Sequence, residues 1–282
     1  MSSPADSSPT PAPMPTSTPA PGQAAPFAHE AAVAARIAAM AGALLKGRFA
    51  TAMQVDFKGA TDLVTEMDLA SERLIRDELA RAFPADALFG EETGGADWRQ
   101  GRVWVFDPLD GTTNFAHGLP IFSVSIALCL DGRPVAGAVH QPIAGETFVA
   151  WTNGGAWLNG APIRVSAQDD LHKALVVTGF PYRIGDQIDE VLARLRRMIL
   201  ATQGVRRLGS AALDLCAVAM GRFDVFWETS LQPWDVAAGR LLVEEAGGRV
   251  TDFAGQPMPL DRGQLLATNG RLHEAVLAML AI

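Results

Sequence analysis

Acidic side chains recur in four short segments of this 282-residue chain. The segments are residues 62–65, 90–92 and 107–114, followed far downstream by residues 233–235. Carboxylates repel one another when they are gathered in one pocket, so such a cluster is stable only around hard cations, which prefer oxygen ligands. The pattern therefore predicts a divalent-metal site assembled from distant parts of the chain.

The third segment contains two aspartates three residues apart, in the order Asp107-Pro108-Leu109-Asp110. The apolar run at residues 103–106 is typical of a strand. The proline stiffens the turn predicted to follow that strand, so we expect both carboxylates to converge at its end. The Leu109 carbonyl between them offers a further oxygen ligand.

The next four residues, Gly111-Thr112-Thr113-Asn114, suit a bound phosphate group. Gly111 lets the backbone approach a ligand closely. Residues 112–114 are predicted to open a helix, whose unpaired amides and positive dipole end favour an anion. Metal and phosphate sites would then adjoin, as hydrolysis of a phosphate ester by a metal-activated water requires.

Two further acids complete the predicted metal site. Glu91 follows residues 88–90, whose pattern indicates another strand end, and Asp235 follows Trp234 at a predicted helix start. Each segment alone also fits a structural role, because Asp-Gly is a common turn signal, Gly-Glu-Glu suits a solvated loop and Asp235 suits a helix cap. Their joint occurrence in this order favours the metal site.

The elements that position these segments fall into two patterns. Before Gly160 the sequence predicts helices and an antiparallel sheet, and after it strands and helices alternate. The first part has predicted helices at 27–49 and 68–83 and strands at 103–106, 122–130, 134–140 and 146–151. The second has predicted strands at 174–178, 224–228 and 265–268 and helices at 188–200, 210–220 and 235–246.

These patterns predict three regions along the chain. Residues 1–26 are rich in Pro, Ala and Ser and are expected to form a disordered tail. Residues 27–160 are predicted to form an α+β domain that carries most of the metal ligands. Residues 161–282 are predicted to form an α/β domain that carries the substrate-binding residues and one metal ligand.

Composition narrows the class of protein. The chain is 49% hydrophobic and carries 23 Lys and Arg against 31 Asp and Glu, which gives a net charge of -8. This charge disfavours nonspecific attraction to nucleic acid or to an anionic membrane surface. Cys129 and Cys216 lie in apolar runs, which argues against a disulfide framework. Charged residues interrupt the apolar segment 27–45, so we expect no membrane span and a cytoplasmic enzyme.

The sequence resembles the inositol monophosphatase family, within the magnesium-dependent, lithium-sensitive sugar phosphatases, and is most similar to its bacterial inositol-1-monophosphatases. Two family signatures carry the resemblance: DPLDGTTN at residues 107–114 and PWDVAAG at residues 233–239. It covers about residues 27–282. The resemblance implies a layered αβαβα sandwich, a combined α+β and α/β fold, with two or three Mg²⁺ ions in the site.

The resemblance also implies a role for each site residue. The implied first-metal ligands are Glu91, Asp107, the Leu109 carbonyl and Asp110, and the implied second-metal ligands are Asp107, Asp110 and Asp235. Asp62 and Thr112 match the pair that orients and helps to deprotonate the attacking water, and Glu91 completes the catalytic set. The implied substrate contacts are Asp110, Gly111, Thr112, Ala211, Glu228 and Asp235.

Substrate choice is expected to depend on the second half of the chain. Glu228 resembles the family residue that accepts hydrogen bonds from inositol hydroxyls, and residues 209–212 resemble the segment beside the ring. Inositol monophosphate is therefore the favoured substrate. Phosphoadenosine phosphate, histidinol phosphate and fructose 1,6-bisphosphate stay open, because relatives that use them share the metal motifs. A solvent-facing charge at a strand end is the structural alternative for Glu228.

A different class of function also stays open. The sequence contains a local basic cluster made of Arg194, Arg196, Arg197, Arg206 and Arg207. It could dock on a nucleic acid or a partner protein, although a solvated helix face or a subunit contact is the favoured interpretation. His117, the one histidine near a motif, is predicted to be a loop residue. The resemblance implies a homodimer and inhibition by lithium.

Overall fold

The computed structural model describes residues 26–51, 55–57, 63–181, 184–261 and 263–281. The predicted tail, apart from residue 26, lies outside these ranges. Asp62, the predicted partner of Thr112, also lies outside them.

Within the described ranges the chain forms seven α-helices and fifteen strands. The helices are α1 (Ala28–Arg48), α2 (Glu66–Ala82), α3 (Thr112–Ala116), α4 (Ile188–Ala201), α5 (Ala211–Ala219), α6 (Pro233–Glu245) and α7 (His273–Leu280). The strands of the first part are β1 (Val55–Phe57), β2 (Leu63–Thr65), β3 (Ala87–Gly90), β4 (Gly94–Gly95), β5 (Arg102–Asp110), β6 (Ser123–Leu130), β7 (Arg133–Gln141), β8 (Glu146–Trp151), β9 (Gly155–Leu158) and β10 (Ala161–Ile163). The later strands are β11 (Leu175–Thr178), β12 (Gly204–Arg206), β13 (Val225–Thr229), β14 (Arg249–Thr251) and β15 (Gln264–Thr268).

The described strands form two large sheets and one two-stranded ribbon. The first sheet has eight strands in the order β10-β9-β8-β7-β6-β5-β3-β4, and only β3 and β5 are parallel neighbours. The second sheet has five strands in the order β12-β11-β13-β15-β14. In it, β11 is parallel to both β12 and β13, whereas β15 is antiparallel to its neighbours. Strands β1 and β2 form the ribbon.

Alternation of side chains on the first sheet separates two helical layers, because successive residues of a strand point to opposite faces. On β5, Trp104 and Phe106 belong to a core cluster that includes the buried residues of α1 and α2. Val103 and Val105 belong instead to a cluster that includes α5 and α6. The first sheet is therefore covered by helices on both faces.

The second sheet repeats this arrangement. On β13, Phe226 belongs to the cluster that contains α5 and α6. Val225 and Trp227 belong to a third cluster, which includes Met198 of α4 and Val276 of α7. The layers therefore follow the order helix, sheet, helix, sheet, helix, which confirms the predicted αβαβα sandwich.

Most predicted elements are present, with shifted ends. The helix predicted to start at Asp235 begins two residues earlier, at Pro233. The sequence reasoning missed β14 and also α7, the helix that follows the last predicted strand. Near the predicted domain boundary, the residues after Gly160 form β10, which pairs with β9 of the first sheet. The second sheet begins only at β11, and the two-domain division stays a prediction.

Helix α1 is the one described helix that is long and apolar enough to cross a membrane by length and composition. Its inner residues, among them Ile37, Ala41 and Leu45, are fully buried against the first sheet. A core helix of this kind passes the same test as a membrane span, so the apolar composition of α1 is accounted for by its packing.

His273, the first residue of α7, is fully buried between two threonines. The Thr251 hydroxyl donates to the Asp252 carbonyl at 2.7 Å, so it accepts from Nε2 of His273 at 2.9 Å. The Thr268 hydroxyl accepts from the Gly270 N–H at 3.0 Å and donates to Nδ1 at 2.9 Å. This network needs a neutral ring, and burial lowers the pKa of His273 to about 4.

We expect the contribution of His273 to the free energy of unfolding to be lost as the pH drops from about 6.5 to about 4. Over this interval the unfolded chain takes up a proton that folded His273 does not. Other groups also change the stability over this interval, among them His140, whose pKa burial lowers to about 4, and Glu228, whose pKa burial raises to about 8. The measurement is therefore the difference between variants: in urea unfolding, His273→Gln should gain stability relative to wild type as the pH drops, and His172→Gln, at an exposed site, should not. A difference between wild type and His273→Gln that does not change with pH would contradict the prediction.

Candidate active site

Asp107 and Asp110 lie on the same face of the first sheet because β5 contains a bulge. In a regular strand, residues three apart point to opposite faces. Asp107 pairs with Ser125 and Asp110 with Ser123, so three steps along β5 match two steps along β6. The one extra residue turns Asp110 to the face that Asp107 occupies.

The bulge corrects one detail of the sequence prediction. The turn expected after residue 106 is wrong, because the strand continues to Asp110. Leu109, between the two aspartates, is fully buried in the cluster with α1 and α2. Its side chain thus anchors the bulge on one face while both carboxylates occupy the other.

Glu91 lies beside Asp107 because β3 and β5 are parallel neighbours. Gly90 pairs with Phe106, and the Glu91 N–H donates to the Phe106 carbonyl at 3.3 Å. The residue that follows each member of this pair is therefore an acid, Glu91 after Gly90 and Asp107 after Phe106. The carboxyl groups of Glu91 and Asp107 are in hydrogen-bond contact, so the two groups must share either a proton or a cation.

Helix α6 brings Asp235 to the same place. Asp235 is the third residue of the helix, and its Oδ2 accepts from the Gln232 N–H at 2.7 Å, which caps the helix start. The Trp234 ring packs on the Phe89 ring, with 5.4 Å between centroids. Since Phe89 is two residues before Glu91, this contact holds the start of α6 against the end of β3.

The four carboxyl groups influence one another electrostatically. Burial, followed by repulsion from Glu91, Asp110 and Asp235, raises the pKa of Asp107 well above its usual range. Burial also raises the pKa of Asp235 well above its usual range, with Glu91 and Asp110 adding to the rise. Such surplus negative charge is what a hard cation neutralises, so the donor chemistry fits Mg²⁺. Among the described residues, however, no group of three or more His, Cys, Asp or Glu is arranged as a metal-ion ligand set.

Asp110 is also tied to the start of α5. Its Oδ2 accepts from the Ser210 hydroxyl at 2.5 Å and from the Ala212 N–H at 2.8 Å, and its Oδ1 accepts from the Ala211 N–H at 3.2 Å. Burial raises the pKa of Asp110, and these donors oppose the rise. The positive end of α5 therefore already faces a carboxylate, and Ala211 takes part through its backbone amide.

Gly111 connects β5 to α3 in a conformation that favours glycine. Its φ is 95°, and a Cβ there would lie 3.0 Å from the Ile121 carbonyl oxygen and 3.2 Å from that of Gly209. The close backbone approach predicted for Gly111 is therefore made to the protein itself. Helix α3 begins at Thr112, which confirms the predicted helix start, although it has only five residues.

Thr112 has a described carboxylate partner that the sequence reasoning missed. Its hydroxyl lies 2.9 Å from Oδ1 of Asp68 and 3.0 Å from the Leu109 carbonyl oxygen. Asp68 is fully buried, and its Oδ2 accepts from the N–H and the hydroxyl of Thr65, at 2.8 and 2.6 Å. The sequence feature that could have identified Asp68 was the capping box that it forms with Thr65 at the start of α2.

Glu228 lies at the end of β13, on the face towards α5 and α6. A Cβ on Gly179 would lie 2.0 Å from its Oε2, so the glycine backbone packs directly on this carboxyl group. Burial raises the pKa of Glu228 to about 8; Arg207 opposes the rise and Asp110 adds to it. Glu228 is therefore part of the acidic region around Asp110 rather than a charge in open solvent.

Asp214, in the first turn of α5, is a second acid that the sequence reasoning missed. It is fully buried, and its Oδ1 has no hydrogen-bond partner among the described residues. Burial, with Glu228 and Asp110, raises the pKa of Asp214 well above its usual range, although Arg207 opposes this. Burial therefore favours the neutral form of the Asp214 carboxyl group. No motif contains it, so only its position on the helix could have shown its burial.

His117 and two arginines of the basic cluster, which were singled out from the sequence, have structural surroundings that account for them. His117 follows α3 and is exposed, in agreement with its prediction as a loop residue. The basic cluster is partly used inside the fold: Arg194 donates to the Leu280 carbonyl at 3.1 Å, and Arg197 donates to the Met279 carbonyl at 3.2 Å. Both arginines therefore satisfy the last carbonyls of α7.

Comparison with known proteins agrees with the fold. The model of the inositol monophosphatase family matches residues 28–281. The chain is 46% identical over 234 residues to the Nus factor SuhB of Pseudomonas aeruginosa, covering 80% of this chain and 85% of that protein. It is 43% identical over 247 residues to an inositol-1-monophosphatase of Synechocystis, covering 86% and 85%. The solved structure of the extragenic suppressor protein suhB of Bartonella henselae superposes with a TM-score of 0.85 at 39% identity, covering 90% and 98%.

The layered sandwich and these similarities define the class of the protein: it is a phosphatase. More narrowly, the chain belongs to the inositol monophosphatase family.

We expect Asp214→Asn to lower stability less than Asp214→Ala, because the amide has nearly the shape of the carboxyl group and carries no charge. Asp214→Ala should lower the free energy of unfolding by about 1–3 kcal/mol, since it leaves a cavity in the middle helical layer. Chemical denaturation measures both effects, with the exposed Asp189→Asn as the control. A loss of stability in Asp214→Asn as large as that in Asp214→Ala would contradict the prediction.

Proposed function

We propose that the protein is a magnesium-dependent phosphomonoesterase that hydrolyses inositol monophosphate to inositol and phosphate. The supporting observation is the convergence of Glu91, Asp107, Asp110 and Asp235 from two strands and one helix, with raised pKa values for the three aspartates. Their location beside Glu228 and the start of α5 supports the proposal that a polyol contact adjoins a metal site.

The residues proposed to hold Mg²⁺ are Glu91, Asp107, the Leu109 carbonyl, Asp110 and Asp235. Bound Mg²⁺ would neutralise phosphoryl oxygens and lower the pKa of the attacking water. All five donors are oxygens, which suits a hard cation. The Leu109 carbonyl oxygen already accepts from the Thr112 hydroxyl at 3.0 Å, so this threonine fixes the orientation of a proposed ligand. Binding of two or three ions belongs to the same proposal.

Thr112 and its acidic partners are proposed to orient the attacking water. The Thr112 hydroxyl has one proton, and the Asp68 carboxylate and the Leu109 carbonyl both lie within reach of it. Its oxygen can then accept from a water on the substrate side. Asp62 is proposed to share this role on the strength of its family motif.

The leaving alcohol is proposed to lie between Glu228 and the start of α5. Inositol hydroxyls are donors, and Glu228 and Asp110 are acceptors. The backbone N–H groups of Ala211 and Ala212 already donate to Asp110. The segment at residues 209–212 would therefore contact the inositol ring through its other backbone atoms. Gly111 and Asp235 complete the proposed substrate contacts.

The alternative docking role has less support from the structure. Two of the five arginines in the basic cluster bind carbonyls of α7. Arg207 acts electrostatically on Glu228 and Asp214, which leaves Arg196 and Arg206 for any external partner. The proposal of a cytoplasmic, lithium-sensitive homodimer rests on family membership.

A panel of phosphate esters tests the substrate. Inositol 1-phosphate, phosphoadenosine phosphate, fructose 1,6-bisphosphate and histidinol phosphate should be assayed with and without Mg²⁺. We expect the highest kcat/KM for inositol 1-phosphate, because a ring of hydroxyl donors matches Glu228 and Asp110, and we expect turnover to need Mg²⁺. A higher kcat/KM for another ester would move the proposal to that substrate class, and turnover without a divalent cation would end the metal assignment.

Asp107→Asn tests the metal site. We expect a loss of more than about 100-fold in kcat/KM, since even outer partners of a metal site typically contribute about 10–100-fold. Without Mg²⁺ the variant should melt at a higher temperature than wild type, because one member of a mutually repelling cluster has been neutralised. Asp77→Asn, at an exposed position of α2, is the matched control. Full magnesium-dependent hydrolysis by Asp107→Asn would refute the site.

A further inference from the structure

The loop that follows Glu91 is held by a single buried glutamate of α2. Glu72 is only 1% exposed. Its Oε2 accepts from the Glu92 N–H at 2.8 Å, and its Oε1 accepts from the Thr93 N–H at 3.0 Å and from the Thr93 hydroxyl. One carboxylate therefore satisfies two successive backbone amides directly after Glu91.

An arginine one turn later on α2 completes this contact. Arg76 donates from Nε to Oε1 of Glu72 at 2.9 Å and from Nη2 to the Gly94 carbonyl. Its guanidinium lies over the Phe106 ring, 5.2 Å from the centroid. Because Phe106 immediately precedes Asp107, Arg76 contacts the side chain before one predicted metal ligand and the backbone of the segment that follows another, Glu91.

Glu72 also contacts the chain on the other side of Glu91. A Cβ on Gly90 would lie 2.9 Å from the Glu72 carboxyl carbon and 2.6 Å from the Phe106 ring, so only glycine fits between them. The Glu72 carboxylate is therefore packed against the residue before Glu91 and hydrogen-bonded to the two residues after it. This leaves the Glu91 backbone little freedom to move.

We propose that Glu72 is a positioning residue that fixes Glu91 for Mg²⁺ binding through the backbone of residues 90–93. The inference rests on the proposed function, because it takes Glu91 as a metal ligand. A charge-assisted acceptor for two neighbouring amides holds a loop more rigidly than a neutral side chain does. Arg76 compensates the charge of Glu72, which would otherwise add to the repulsion among the four acids of the site.

Glu72→Gln tests this role with little change in shape. The amide keeps one acceptor oxygen but presents an NH₂ group to one of the two backbone N–H donors, so residues 92–93 lose part of their anchor. We expect the Mg²⁺ concentration for half-maximal hydrolysis to rise about 10–100-fold. Turnover should recover at saturating Mg²⁺, and calorimetric titration with Mg²⁺ alone should show the same loss of affinity.

The matched control is Glu78→Gln, on the same helix. Glu78 pairs with Arg36 and Arg81 and is not hydrogen-bonded to residues 90–94, so its loss should leave Mg²⁺ affinity unchanged. If Glu72→Gln melts at a lower temperature but binds Mg²⁺ as wild type does, Glu72 has a structural role only and the inference is overturned.

A second variant keeps the test decisive if Glu72→Gln does not fold. Thr93→Val removes the hydroxyl bond to Glu72 and leaves both backbone bonds, so we expect a smaller rise in the Mg²⁺ requirement; no rise in the folded variant would overturn the inference. Wild-type protein that binds no Mg²⁺ would instead refute the proposed function. Calorimetry on the wild-type protein therefore distinguishes a failure of this inference from a failure of the proposed function.

Discussion

Mutual repulsion among buried carboxylates is the constraint on which the arrangement of this molecule depends. Four acids meet where β3, β5 and α6 come together, and burial raises the pKa of the three aspartates further. Such a cluster persists only if the surrounding fold is rigid enough to hold it and if its charge is partly compensated. The start of α5, the capped start of α6 and the Glu72–Arg76 pair supply that rigidity and compensation.

The five-layer sandwich explains how acids so distant in sequence come together. Both sheets turn one face towards α5 and α6, and the acids project from those two inner faces or from the starts of the two helices. Asp107 and Glu91 belong to the first sheet, Glu228 to the second and Asp235 to α6. The apolar core and the acidic region therefore lie next to each other in the layer between the two sheets. The alternation of side chains along each strand determines which residues point into that layer.

Much of this could be predicted from the sequence, and the reasons for the gaps are physical. The DPLDGTTN and PWDVAAG segments pointed to Asp107, Asp110 and Asp235 because each is a local, specific pattern, and the family resemblance that they carry implied the layered fold. The bulge in β5 could not be predicted, because it is defined by the register with β6, a contact between different segments. Asp68, Glu72 and Asp214 were missed because single acids on helices usually face solvent, and their burial follows only from how the helices pack. Asp62 stays a prediction.

The bulge also links the spacing of the two aspartates to the folding of the strand itself. Without the bulge, a β5 of the same length would pair with β6 in regular alternation and keep its apolar contacts up to Phe106. Asp110 would then point to the face that packs on α1 and α2, where burial of an unpaired carboxylate is costly. A shift in the register of β5 against β6 at this position is therefore a folding defect as well as a chemical one.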